Sequence, residues 1–493
     1  MAKIKFFSFL LLILLFSFNC QSKRLSQSQE KKNNIIFILA DDLGYGELGC
    51  YGQEKIKTPH IDSIAEEGIK FTQFYSGQTV CAPSRCSFLT GLHQGHAQIR
   101  DNSGGFLKKH ISLLVKDDFP SQWPLLPNTT TIGTLLQKQG YTTACVGKWG
   151  LGHPQNSGAP NKQGFDFFYG YICQVQAHNY YPRYLWRNDK KETLEGNDRK
   201  LTGKHYAADL METECLNFIK KNKDNPFFLY FATPVPHVAL QVPEDSLKEY
   251  SEKWKEKPYT GNSYLPHTNP RAAYAGMVTR MDRSVGRIMS LLKELQLEDN
   301  TLIIFTSDNG ATFNGGYDRE FFRGNGQLKG FKTNMYEGGI RVPLVAKWPG
   351  KIKAGSVSHH ISAIWDMLPT FTEISRASTP QDIDGISILP TLLGREQKKH
   401  KLLYWEFPSK KFNGQVLRKD NWKILRSAKN NIELFDLETD PSESKNLSKQ
   451  HPDIVKEMLI LMKQEHTTNP YFPMSSLNEK LTGIENIQKI YAP

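Results

Sequence analysis

At 493 residues, with 39% hydrophobic and 23% charged positions, the chain is long enough for one large domain, a smaller one and a sizeable core. Its formal net charge of +12 suits an anionic polymer or a membrane surface, or is lysine spread over solvated faces, so charge alone does not choose a partner. Nucleic-acid motifs, internal repeats and metal-finger cysteine spacings are missing from the sequence, which argues against those classes.

Lys3 and Lys5 precede an apolar run over residues 6–18, shorter than the roughly 20 residues a spanning helix needs, so residues 1–20 read as a signal peptide. Residues 21–32 form a polar, basic linker. Cys20, directly after the run, resembles the acylated cysteine of a bacterial lipoprotein, although Asn19 stands where a small residue is usual. That resemblance implies export to the periplasm or to the outer-membrane or cell surface, with a lipid anchor. With Cys20 and Cys81 set aside, the other five of the seven cysteines are Cys50, Cys86, Cys145, Cys173 and Cys215. An odd number leaves at least one unpaired even in an oxidising compartment.

Residues 33–40, N-N-I-I-F-I-L-A, are a continuous apolar run of the kind that forms a strand buried on both faces. The run ends in Asp41 and Asp42, two carboxylates that are either exposed turn residues or are held by something cationic. Residues 80–91, V-C-A-P-S-R-C-S-F-L-T-G, read as a loop entering a helix. Cys81 then sits at the helix N-terminus, which favours an anion, and Arg85 returns toward it at i,i+4 spacing. A buried cysteine without chemistry is the plainer reading.

Residues 141–153 give a strand and a glycine-rich turn carrying Lys148, Gly150 and His153. Residues 226–237 give another buried strand, ended by a Pro-x-Pro-His turn at His237. Amphipathic helices follow over residues 212–221 and 272–297, the latter basic on one side. Residues 300–310 repeat the earlier pattern, a buried strand ending in Asp308 and Asn309, so both acidic sets belong at the carboxyl ends of strands in an open α/β sheet. Three carboxylates and an amide oxygen form a hard site suited to Ca²⁺ or Mg²⁺. Lys332 precedes E-G-G-I-R at residues 337–341, with Lys329 as the nearby alternative. Residues 90–102, with Arg100, and 173–181, with His178, are rich in the hydrogen-bonding and aromatic groups that face sugars, or are polar loops without contacts. After residue 399, short strand-like pieces and a helix over residues 452–465 suggest a small antiparallel sheet.

The stretch at residues 80–91 resembles the C-x-P-S-R-x-x-x-L-T-G signature of the type I, formylglycine-dependent sulfatases of the alkaline phosphatase superfamily. It matches at Cys81, Pro83, Ser84, Arg85, Leu89, Thr90 and Gly91, and the resemblance extends over about residues 33–441. It implies an α/β fold with a large, mostly parallel sheet between helices over residues 33–398, and a smaller α+β subdomain with an antiparallel sheet over 399–493. It implies hydrolysis of a sulfated carbohydrate or aryl sulfate by a formylglycine made from Cys81, through a formylglycine-generating or anaerobic sulfatase-maturating enzyme.

Calcium, more than magnesium, is then implied at Asp41, Asp42, Asp308 and Asn309 beside residue 81. Arg85 orients the nucleophile, Lys148 and Lys332 face the sulfate, and His237 lies near the leaving oxygen as general acid or sulfate ligand. The family's G-K-W-H-L-G has Gly150 where its histidine stands, which leaves the base open, with His153 as a substitute. His178 and Arg100 are candidate substrate contacts. Phosphate or phosphonate ester hydrolysis, and a non-catalytic binder of sulfated glycans at the cell surface, are the alternatives.

Overall fold

The computed structural model describes residues 32–102, 122–409 and 414–482. The expected signal peptide over residues 1–20, with Cys20, and nearly all of the expected 21–32 linker lie outside the described residues. In chain order the strands of the larger sheet are β1 (Asn34–Ala40), β2 (Ile69–Tyr75), β3 (Thr142–Lys148), β4 (Phe167–Tyr171), β5 (Tyr184–Arg187) and β6 (Lys190–Thr193). They continue with β7 (Phe227–Ala232), β8 (Thr301–Ser307), β9 (Arg341–Lys347), β10 (Ser356–Ser358) and β11 (Ser362–Ala363). The order across this 11-stranded sheet is β10-β2-β9-β8-β1-β7-β3-β4-β5-β6, with β11 beside β2. The central strands β8, β1, β7, β3 and β4 all run parallel. Antiparallel pairs occur only toward the edges, at β8–β9, β9–β2, β4–β5 and β5–β6.

β1 is buried along its whole length, and its period of two divides the hydrophobic interior. Ile35, Phe37 and Leu39 enter one core with helices α2 (Cys81–Thr90), α3 (Ile132–Lys138) and α6 (Met367–Ser375). Ile36, Ile38 and Ala40 enter the other, with α1 (Pro59–Glu66), α4 (Ala207–Lys221) and α5 (Pro270–Glu294). Helices on both faces explain why the central strands read as unbroken apolar runs. Both amphipathic helices are present, α5 starting on Pro270, whose missing N–H costs nothing in a first turn. The basic side of α5 is spent on ion pairs, among them Arg280 with Asp209 and Arg287 with Glu212.

A second, four-stranded antiparallel sheet runs β12 (Leu403–Phe407), β13 (Gly414–Lys419), β14 (Trp422–Ser427), β15 (Ile432–Asp436). Leu403 and Trp405 on one of its faces join the core that contains α2, while Tyr404, Leu417 and Ile424 pack on α7 (Pro452–Gln464). The expected α/β fold with an added antiparallel sheet is the observed one. The six described cysteines are all free thiols. Among the described residues, no helix is long and apolar enough to cross a membrane.

Candidate active site

Parallel pairing in register, Ala40 opposite Ser307, brings the ends of β1 and β8 side by side. Just past β1 the chain turns at Asp42, whose φ of +66° is one of the few left-handed conformations an aspartate tolerates. The turn is tied to the neighbouring strand: Asp42 N–H donates to Asp308 Oδ1 at 3.1 Å, and Leu43 N–H to Ser307 Oγ at 2.9 Å. Four polar groups at two strand ends thus become one buried cluster of Asp41, Asp42, Asp308 and Asn309.

Cys81 is the first residue of α2, as its sequence context predicts, and its Sγ donates to Asp41 Oδ1 at 3.1 Å. Burial and the adjacent Asp41 carboxylate push the thiol well above its ordinary value. Lys148 and Lys332 oppose that shift without reversing it, so Cys81 as encoded is a protonated thiol and a poor nucleophile.

Three cations hold the carboxylates. Lys148, the last residue of β3, places Nζ 2.5 Å from Asp41 Oδ2. Arg85, one turn into α2, donates from Nη2 and Nε to Asp308 Oδ2 at 2.8 and 3.1 Å, and from Nη1 to the Lys148 carbonyl at 2.5 Å. Lys332 Nζ stands 2.7 Å from Asp42 Oδ2 and 3.0 Å from His237 Nε2. Lys332 is 12% exposed while Lys148 and Arg85 are at 0%, so the cluster opens on the Lys332 side. Burial alone would raise the Asp41 carboxyl; Lys148, with Arg85 and Lys332, holds it well below the usual range.

His237, in the turn after β7, is driven well below an ordinary imidazole by burial and by Lys332, and it is therefore neutral. Its Nδ1 bonds the Val238 carbonyl, leaving Nε2 as an acceptor for Lys332. The ring of His178 stacks on it at 4.6 Å with 9° between planes, and Tyr264 meets both rings edge-on. His178 and Tyr264 open onto a cavity of about 520 Å³ that Arg199 and Asn314 also line.

The donor set fits a hard divalent cation. Asn309 Nδ2 donates to Asp42 Oδ1 at 2.7 Å and to the Gly310 carbonyl at 3.0 Å, whereas Asn309 Oδ1 is buried with no hydrogen-bond donor among the described residues. A buried acceptor without a donor, beside three carboxylates, is completed by a cation. Burial and the charge of Asp41 push Asp308 up to about 7 even with Arg85 on it, so the protein's own cations undercompensate the crowding. Three carboxylates against Lys148, Arg85 and Lys332 sum to zero formal charge. A divalent ion would supply the net positive charge that an anionic ester needs.

The remaining expected site residues fall elsewhere. His153 packs edge-on against Trp186 at 5.4 Å and accepts from Gln155 N–H; the Cys81 sulfur meets Asp41 and Asp42, not this ring. Arg100 is placed differently from the substrate-facing expectation. It is 2% exposed and donates to Ala97, Gly95, Glu406 and Thr467, tying the segment after α2 to the second sheet. Lys329, the alternative to Lys332, donates to the Glu443 carbonyl instead.

Gln174 is the residue that sequence reasoning passed over. It lies in the polar, aromatic 173–181 segment, where nothing local sets it apart from its neighbours. A Cβ on Gly150, where φ is +78°, would lie 2.1 Å from Gln174 Nε2, so Gln174 fills the space a side chain at position 150 would need. Both of its amide atoms are buried without a partner among the described residues.

A family model described as Sulfatase matches residues 33–375, and one described as N-sulphoglucosamine sulphohydrolase, C-terminal, matches residues 329–468. N-acetylgalactosamine-6-sulfatase of Canis lupus familiaris is 33% identical, over 76% of this chain and 68% of its own. N-acetylgalactosamine-6-O-sulfatase of Bacteroides thetaiotaomicron is 28% identical, over 89% of this chain and 94% of its own. The crystal structure of Ps i-CgsB in complex with k-i-k-neocarrahexaose superposes with a TM-score of 0.76 at 28% identity, covering 94% of this chain and 100% of that one. The chain belongs to the sulfatase family and is a sulfuric ester hydrolase of alkaline phosphatase-like fold.

Proposed function

We propose that this sulfatase removes sulfate from a sulfated carbohydrate, using a formylglycine made from Cys81 by a separate converting enzyme. The observation that carries the reading is the buried, protonated Cys81 thiol at a helix N-terminus, 3.1 Å from Asp41 inside a ring of three cations. Such a thiol is unsuited to attack, and the position suits an oxygen nucleophile. A formylglycine there supplies a geminal diol, one oxygen of which displaces the alcohol from sulfur while the other restores the aldehyde as sulfate leaves.

Asp41, Asp42, Asp308 and Asn309, beside residue 81, would hold calcium. Bound there, the ion would supply positive charge beside the sulfate group. Lys148 and Lys332 add fixed cations on two sides of the same space, and Arg85 holds Asp308 and the end of β3 in place. The neutral His237 accepts at Nε2, so it guides Lys332 and, once a proton reaches it, can pass that proton to the departing alcohol. His178 and Tyr264 present ring faces and edges to the leaving group, the geometry a sugar uses. Names among the relatives fit this substrate class: an N-acetylgalactosamine-6-sulfatase, an N-acetylgalactosamine-6-O-sulfatase and a structure in complex with k-i-k-neocarrahexaose.

We also place the protein outside the cytoplasm, in the periplasm or at the cell surface, lipid-anchored at Cys20. The support is the short apolar run before that cysteine, and Cys20→Ala should release the protein from the membrane fraction. Sulfate release from defined sulfated mono- and oligosaccharides, beside matched phosphate and phosphonate esters, tests the activity. Faster turnover of the phosphorus esters would overturn the reading.

A further inference from the structure

Beyond the cluster lies a second, larger cleft of about 820 Å³, lined by Lys255, Lys257, Tyr259, Phe313, Arg319 and Phe331 among others. The chain connects it to the catalytic residues twice. Phe331 immediately precedes Lys332, and Phe313 is four residues beyond Asn309, so the two loops that deliver a cation and an amide to the site each deliver an aromatic ring to the cleft. The rings meet at 5.0 Å, and Phe313 is 43% exposed, one of few large apolar side chains left open to solvent. Arg319 lies over the Phe331 ring at 4.8 Å.

This cleft and the cavity beside His178 share neighbouring stretches of chain. Phe313 lines the cleft and its neighbour Asn314 the cavity. On the facing side Tyr259 lines the cleft, while its hydroxyl accepts from the backbone N–H groups of Ser263 and Tyr264, which line the cavity. The cleft and the cavity that holds His178 are thus lined by neighbouring residues of the same two segments.

Charge also points to the occupant. The acids of the cleft are already engaged: Asp318 with Arg271 at 2.7 Å, Glu256 with the first N–H groups of α5, and Glu320 with Arg319 at 3.2 Å. The exposed Lys255 and Lys257 ammonium groups have no ion pair among the described residues. An open aromatic face flanked by two uncommitted cations suits a ring with an apolar C–H face and an anionic substituent.

We infer that the second cleft is a distal subsite for a neighbouring, negatively charged sugar unit of an anionic oligosaccharide, stacked on Phe313 and steered by Lys255 and Lys257. This rests on the sulfated-carbohydrate reading. It makes the substrate a chain of at least two units and not a lone monosaccharide.

The test is binding, measured by calorimetry on the full chain carrying Cys81→Ala, with sulfated monosaccharide and tetrasaccharide of one glycan, alongside aryl sulfate turnover by the unaltered enzyme. Affinity for the tetrasaccharide should exceed that for the monosaccharide by about tenfold or more. Phe313→Ala should abolish that ratio and Phe313→Tyr preserve it, and Lys255→Ser with Lys257→Ser should flatten the salt dependence of tetrasaccharide binding. Equal affinity for the two ligands, or a ratio untouched by Phe313→Ala, overturns the inference. With aryl sulfate still hydrolysed, such a result would leave the sulfatase assignment standing.

Discussion

Lys332 points its ammonium at Nε2 of His237 from 3.0 Å, and burial together with this contact keeps that imidazole neutral in the resting enzyme. Removing the cation lets the His237 pKa rise toward the ordinary value of about 6.5. Lys332→Ala should therefore do two separable things. It should lower kcat/KM by roughly 10²–10³, the usual effect of losing one charge-stabilising donor. It should also move the acid limb of the pH profile to higher pH, which a rate profile on an aryl sulfate would show. Loss of rate with an unmoved limb would leave His237 without the proposed coupling.

Asn309 allows metal binding to be separated from folding. Its Oδ1 is buried without a donor among the described residues, while its Nδ2 donates to Asp42 and Gly310, so Asn309→Ala costs the metal-free protein those two bonds, roughly 1–3 kcal/mol. Added calcium should raise the Tm of the wild-type chain, as any ligand of the native state does, and chelation should abolish activity while the circular dichroism stays native. Asn309→Ala should keep the metal-free Tm within a few degrees and lose the calcium-induced rise. An undiminished rise would move the ion away from this amide.

Lys423, in β14, sits between Glu337 at 2.9 Å and Glu443 at 2.8 Å, all three fully buried. Burial would raise the Glu337 carboxyl, but Lys423 and then Arg341 and Arg418 hold it down to about 2. This joint fastens the loop that carries Lys332 to the second sheet. Lys423→Met leaves two buried carboxylates facing each other and should cost about 3–5 kcal/mol in urea unfolding. A loss below 1 kcal/mol would mean that water enters the joint.

His466 bridges Glu406 and Glu479, with Nε2 2.7 Å from Glu479 Oε1. Burial lowers its pKa, but Glu406 and Glu479 overcome that and leave it raised in the folded chain. A raised folded value means that the stabilisation is complete below the unfolded value of about 6.5 and is lost as pH climbs through the folded one. The stability difference between wild type and His466→Gln should shrink across that interval. Urea midpoints at a series of pH values would show it, and a difference independent of pH would refute it.

The sequence is legible where chemistry and backbone coincide. Asp41, Asp42, Asp308 and Asn309 could be paired before any coordinates because each set ends a continuous apolar run, and parallel register brings such ends together. Arg100 could not be read that way. Its acceptors Glu406 and Thr467 are 306 and 367 residues distant, and nothing local marks an arginine as internally satisfied. Gln174 was hidden for a related reason. Its importance is relational, since it occupies space that Gly150 leaves open. The strand β9 escaped notice because Pro343 interrupts its apolar pattern, yet the Pro343 carbonyl still accepts from Thr306 Oγ1 at 2.7 Å.

The chemical state of position 81 decides how sulfate is released, and mass spectrometry of the peptide that contains it, from active enzyme purified from its own host, reads that state directly. The prediction is an aldehyde or its hydrate in place of the thiol, in proportion to the specific activity. A fully active preparation with an intact Cys81 thiol would contradict it.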